Sequence, residues 1–265
     1  MIARFFYFMA FLFGWLAEKW HWLTAESRIR ISCVFGDYWA GMPPTLARMY
    51  KPKWYEAMIE RAKLEKAKTG KGIVKFRRCP GMVDYAQEGY LILAHTDIHI
   101  KANSVGISVS TPNISDPQLQ PTPMDFAVID GMAPIGEGVV KAVTKVPLPY
   151  GIFLEPGHSA HLLPALMHAG EYMDKIFVYP GTVDYDKFHV SNFIFSCIKP
   201  CEFVIPAGTP LLHVLPFKRV SYHGTTGPAN RKEKAQLRYG FASRLTGFYR
   251  KVFHTKKNYT NEVIK

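Results

Sequence analysis

The stretch GYLILAHTDIHIKANSVGISVS, residues 89–110, decides how the rest of the chain is read. Tyr90, Ile92, Ala94, Ile98 and Ile100 fall at even spacing, and Val105, Ile107 and Val109 repeat the period of two. Side chains alternate between the two faces of an extended strand, so each run turns one apolar face to a core. The short KANS between them suits a hairpin. The stretch predicts β-structure.

The same pattern runs from residue 73 to 219. Strands are predicted at 139–146, 150–155, 175–179, 190–197, 202–205 and 211–217, with turn signals at EPGH, YPGT and PAGTP. Residues 111–137 are rich in Pro, Asp and Gly and read as a long loop with one short strand at FAVID, 126–130. Many short strands at this spacing predict a mainly β fold: a sandwich, a jelly roll, a small barrel or a β-clip body.

The flanks read differently. Residues 31–50 read as irregular, with Pro43 and Pro44 ending any helix before them. PKWYEAMIERAKLEKAKTGKG then predicts a helix opened by Pro52 and stopped by Gly70 and Gly72, with Trp54, Met58 and Ala62 on its apolar face. Past GTTGPANRK, Leu237, Phe241, Leu245, Phe248 and Val252 recur at helical spacing. Gly240 and Gly247 weaken that helix by about 1 kcal/mol each relative to Ala, so it needs a partner surface. The organisation expected is an apolar helical arm at 1–30, an irregular segment plus helix at 31–72, a β body at 73–220 and a basic, aromatic helical arm at 221–265.

The N-terminal MIARFFYFMAFLFGWLAEKW is apolar without a break over residues 5–17 and carries Phe5, Phe6, Phe8, Phe11 and Phe13. That run is shorter than the ~20 residues a spanning helix needs, and no small-x-small cleavage site follows it. A helix docked on the body or on a neighbouring subunit is the reading preferred to a membrane-surface anchor or a signal sequence.

Charge is concentrated at the other end. The chain has a net charge of +12, and the residues from Lys218 onward hold twelve Lys or Arg against Glu233 and Glu262. In FYRKVFHTKKNY, Phe248, Tyr249 and Phe253 interleave with Arg250, Lys251, Lys256 and Lys257. Aromatics and cations so mixed suit a nucleic acid or another anionic surface, or a helix docked through its aromatics with its cations in solvent. Docking is preferred, because the apolar residues fall at helical spacing.

Three patterns invite chemistry. His95-Thr96-Asp97, His213 and Arg219 are similar to the His-x-Asp…His…Arg set of the 2-oxoglutarate oxygenases; two imidazoles and a carboxylate would hold iron(II), and Arg219 would pair with the cosubstrate carboxylate. The bland reading is that Asp97 lies on the wet face of a strand. PGTVDYD and FVIPAGTPLLHVLPF resemble two motifs of the dUTPase and dCTP-deaminase family, with matches at Gly181, Val183, Asp184, Asp186, Gly208 and Leu212. That resemblance would make Asp184 the group that orients a water toward a phosphate. The family's Arg-Ser pair is missing, and PGHSAH stands roughly in its place. The plain alternative is that Asp184 and Asp186 cap backbone groups in a turn. Finally, His158 and His161 lie near Glu155, a thin zinc set without a fourth ligand. Cys33, Cys79, Cys197 and Cys201 form no CxxC pair and read as reduced thiols.

The segments MPPTLARMYKPKWYEAM, KFRRCPGMVDYAQEGYLILAHTDIHI, LEPGHSAHLLPAL, YPGTVDYDKFHVSNFIF, IPAGTPLLHVLPFKR and FYRKVFHTKKNY, from about residue 42 to 260, together resemble a family of uncharacterised proteins found mostly in tailed phages. The resemblance implies a phage-like origin and a β-rich fold and carries no activity. That family usually has Gln where His213 stands and lacks His at 95, which tells against the iron set.

The function expected is therefore non-enzymatic: a phage structural or assembly protein, in the virion or the host cytoplasm, whose arms contact other phage proteins or copies of itself. No cofactor and no small-molecule substrate is expected. A dUTPase-like hydrolase using Asp184 and Asp186 is the alternative, and an iron oxygenase using His95, Asp97 and His213 ranks below it.

Overall fold

The structure, a computed structural model, describes residues 29–33, 44–70, 80–124, 140, 142–168, 170, 172–242 and 254–255. In chain order it has β1 (Ile29–Cys33), β2 (Thr45–Leu46), a 3-10 turn (Ala47–Met49), α1 (Lys53–Thr69), α2 (Pro80–Gln87), β3 (Tyr90–Leu93), β4 (Ile98–Ala102), β5 (Ile107–Ser110), a 3-10 turn (Pro117–Leu119) and β6 (Thr122–Met124). There follow β7 (Val143–Leu154), β8 (His158–Pro164), β9 (Ile176–Val178), β10 (Gly181–Val183), β11 (Val190–Cys197), β12 (Cys201–Ile205), β13 (Pro210–Lys218) and α3 (Arg231–Ala242).

Strands dominate, and every pairing among them is antiparallel. One sheet runs β1-β7-β11-β9, with β6 also against β7; a second runs β10-β8-β13-β3-β2; a third runs β12-β4-β5. None of them closes into a barrel among the described residues, which removes the small barrel from the expected folds.

The opening stretch explains how the sheets share a core. In β4, Ile98, Ile100 and Ala102 are buried while His99 and Lys101 face out, the alternation the spacing predicts. The hairpin to β5 closes through Asn103, whose side-chain oxygen accepts from the backbone N–H groups of Val105 and Gly106, both at 2.9 Å. An Asn that captures the amides two and three residues on fixes such a turn locally. Strand β3 is buried on both sides: Tyr90 and Ile92 join the main core, and Leu91 joins Leu93, Ala47 and Ala165 in a second cluster. The main core draws Ile92 from the second sheet, Ile98 and Ile205 from the third, and Val146, Ile152, Phe193 and Phe195 from the first. Each large side chain buried this way contributes roughly 1.5–3 kcal/mol.

Several expectations need correction. LILAHTDIHI is two strands in different sheets, because residues 94–97 form a turn. There Ala94 donates to Thr209 O at 2.8 Å and accepts from Gly208 N at 2.7 Å, so the PAGT turn splits the apparent strand. The two segments predicted at 139–146 and 150–155 merge into β7, which continues through Pro147 and Pro149. LEPGHSAH holds the expected turn, with Gly157 at φ +82°, but from His158 onward it is strand β8, which the sequence reading did not foresee. β10 was not predicted at all. Residues 31–50 are not wholly irregular, since β1 pairs with β7 and β2 with β3. Helix α2 interrupts the segment read as continuous β; its opening Pro needs no N–H partner in a first turn.

Helix α1 follows Pro52 and ends at Gly70, whose φ of +67° is the left-handed conformation that terminates helices. Helix α3 opens with a capping box: Asn230 Oδ1 accepts from Glu233 N at 3.0 Å, and Glu233 Oε2 accepts from Asn230 N at 2.7 Å. Residues 1–28 of the expected N-terminal arm, FAVID and the aromatic cluster Phe248, Tyr249 and Phe253 lie outside the described residues, as do Arg250, Lys251, Lys256 and Lys257, while Ile29 and Arg30 at the arm's expected end belong to β1.

Candidate functional site

Two polar clusters stand out. The first joins the ends of three strands. Strand β8 pairs with β10 on one side and β13 on the other. Ser159 near its start, Asp184 and Asp186 after β10, and Arg219 after β13 are thereby brought together. Arg219 Nη1 donates to Asp186 Oδ1 at 3.0 Å, to Ser159 Oγ at 2.9 Å and to His158 O at 3.0 Å, while Nη2 donates to Asp186 Oδ2 at 2.5 Å. Gly157 N donates to Asp186 Oδ2 at 2.9 Å. Asp184 Oδ1 accepts from Ser159 Oγ at 2.6 Å and lies 3.1 Å from Arg219 Nη1.

The electrostatics follow from the geometry. The Asp186 side chain is only 5% exposed, and the Arg219 hydrogen bonds hold its carboxyl down to about 2. The Ser159 hydrogen bond and the Arg219 charge hold Asp184 below the usual carboxylate range. A carboxylate held this firmly in its ionised form is a weak proton acceptor near neutral pH. Its free oxygen can still orient a water, since the side chain is 53% exposed. The cluster acts first as a clasp across β8, β10 and β13.

The iron set does not assemble. Asp97 Oδ1 accepts from Ala207 N at 2.8 Å, anchoring the turn that separates β3 from β4. His213 is fully buried on β13 and donates from Nε2 to Glu88 O at 2.6 Å. Arg219 is committed to Asp186. Among the described residues no three His, Cys, Asp or Glu side chains converge to hold a metal ion. His161 is bonded through Nδ1 to Thr182 Oγ1 at 2.9 Å and stacks on Phe217. Cys197 is buried and Cys201 partly exposed, both as free thiols, and burial pushes the Cys197 thiol up to about 12.

The second cluster surrounds a cavity of about 460 Å3 that the sequence did not announce. It lies between the 3-10 turn Ala47–Met49, the start of α1, α2, the 167–168 segment and His254. Its polar lining includes Arg48, Tyr50, Lys51, Tyr55, Asp84, His168 and His254. His254 Nε2 lies 2.9 Å from Asp84 Oδ2, which ties the basic C-terminal run back to α2. His168 is 3% exposed and donates from Nε2 to Ala86 O at 2.8 Å. Its ring meets Tyr50 and His213 edge-on. Burial holds the His168 imidazole down to about 4, so it is neutral at physiological pH. Asp84 and His254 are separated by 170 residues, so no local pattern could have paired them.

No family model matches the chain, and no curated protein matches it at a significant level.

Proposed function

We propose that the chain is a structural or assembly component of a phage-like particle, docking on other phage proteins or on copies of itself through segments that leave its β body. One observation supports this most directly. After Arg219 the chain runs without regular structure, largely exposed, to Asn230, and every residue of α3 from Arg231 to Tyr239 is exposed. Leu237 is 53% and Tyr239 54% exposed. An isolated helix of this length is marginal in water, so α3 gains stability from a surface that covers these side chains.

In this reading the three sheets form a sandwich, jelly-roll or β-clip body carrying helical arms at both ends, in the virion or the host cytoplasm. No helix among the described residues is long and apolar enough to cross a membrane. The phage-family resemblance of the sequence motifs points the same way. Arg231, Lys232, Lys234 and Arg238 also give α3 a basic surface that suits an anionic partner.

The test is mass spectrometry of purified particles, counting copies of this chain, with the Leu237→Glu, Tyr239→Ser double variant alongside. Stoichiometric incorporation that the double variant loses is the expected result. Absence from clean particles overturns the reading. A hydrolase centred on Asp184 is supported less, because that carboxylate is held by Ser159 and Arg219. Nucleotide hydrolysis that disappears in Asp184→Asn would reverse that order.

A further inference from the structure

We propose that Cys197 and Cys201 are a redox-active pair that closes to a disulfide when a small-molecule disulfide, such as oxidised glutathione, meets Cys201. The inference does not depend on the assembly reading.

Position comes first. Cys197 is the last residue of β11 and Cys201 the first of β12, with Ile198, Lys199 and Pro200 between them. Strand pairing pins both ends of this turn: Cys197 lies opposite Ile176 of β9, and Cys201 opposite Ala102 of β4. Ile198 N also donates to Lys175 O at 2.8 Å. Both side chains join one core cluster, Cys197 as a fully buried member and Cys201 packed against it. The two thiols are hydrogen-bonded to each other. A disulfide bond is about 2.05 Å long, so thiols already in contact have only a short approach to make.

Exposure sets the order of events. Cys201 is partly exposed, while Cys197 is buried. Burial, with the charge and hydrogen bond of Cys201 behind it, pushes the Cys197 thiol up to about 12, so Cys197 is not the group that meets an oxidant. The Cys201 thiolate attacks one sulfur of the small disulfide. That S–S bond breaks, and the first small thiol leaves with the proton that Cys201 gave up. Cys197 Sγ then attacks Cys201 Sγ, its proton passes to the second departing thiol, and the protein S–S bond forms. Two protein thiols are oxidised and one small disulfide is reduced to two thiols. A reachable thiol beside a sheltered one is the arrangement of an entry and a resolving cysteine.

Thiol labelling of the full chain tests this. The folded protein is held with oxidised glutathione, then unfolded in N-ethylmaleimide, and its peptides are weighed. The segment carrying Cys197 and Cys201 should escape the label and be lighter by two hydrogen atoms than its reduced form, and dithiothreitol should return both thiols to the label. Cys197→Ala should instead retain glutathione on Cys201, which reads out the order of attack. If that core variant does not fold, Cys201→Ser removes the entry thiol and should leave Cys197 reduced and labelled. Label on both cysteines after oxidation overturns the proposal. So does glutathione retained on Cys201 in the unaltered chain, or a link from either residue to Cys33 or Cys79.

Discussion

Arg219 grips Asp186 with both terminal nitrogens, at 3.0 and 2.5 Å, across the end of β8. The two residues are 33 apart in sequence, and the bidentate bond closes the edge where β10 and β13 flank β8. A planar fork meeting a carboxylate is the strongest geometry such a pair can take.

Acid should loosen this clasp. The folded Asp186 carboxyl sits near 2, below its unfolded value of about 3.9. A depressed carboxylate contributes stability above the unfolded value and loses it as pH falls toward the folded one. Urea unfolding followed from pH 5 to pH 2 should therefore show stability draining below about pH 4. Arg219→Gln should lower the midpoint at pH 7 and flatten that slope. Arg219→Lys should restore only part of the loss, since an ammonium cannot make the two-pronged bond.

Buried imidazoles add a second window at higher pH. Burial holds His95 and His168 down to about 4 and lowers His213 as well. Their unfolded value is 6.5, so their neutral folded forms contribute stability above that pH and lose it as pH falls toward 4. For His168 the loss is on the order of 3 kcal/mol across the window. His168→Gln keeps a donor for Ala86 O and should make stability less steep between pH 6.5 and 4. An unchanged slope in that variant would show that His168 does not titrate with unfolding.

Two glycines should respond in opposite ways to Ala. Gly89 has a φ of +71°, and a Cβ there would sit 2.1 Å from Val214 O, a backbone atom that cannot swing away. Gly89→Ala should cost about 2–4 kcal/mol or prevent folding. Gly81, inside α2, has open space around its missing Cβ. Gly81→Ala should stabilise by roughly 0.5–1 kcal/mol. Denaturation midpoints of both variants check the pair.

The exposed residues of α3 should be silent in the isolated chain. Leu237→Glu should shift its unfolding free energy by no more than about 0.5 kcal/mol, the usual scale for surface changes. A loss of several kcal/mol on dilution would mean that Leu237 is already packed in the folded protein.

Local chemistry was legible wherever neighbours in sequence are neighbours in space. Pro52 and Gly70 bound α1, and the alternation of β4 gave its buried face. The strand at 190–197 was read to the residue, because its bounds carry turn residues on both sides. Merged β7 and the unforeseen β8 failed for the opposite reason. Prolines inside the first and polar residues in the second imitate loops, and pairing with strands on both sides, β1 and β11 for β7, β10 and β13 for β8, keeps them extended.

Sequence by itself determined the period-two segments, the helix signals and the basic C-terminal run, because each depends on residues within one or two turns of chain. Tertiary structure alone decided that Asp186 meets Arg219, that Asp97 anchors a turn, and that Asp84 meets His254 beside a cavity. Those pairings join residues from 33 to 170 positions apart, and the hydrogen bonds that hold them form only once sheets and helices have packed. Spacing along the chain carries no information about such distances; burial and strand register do.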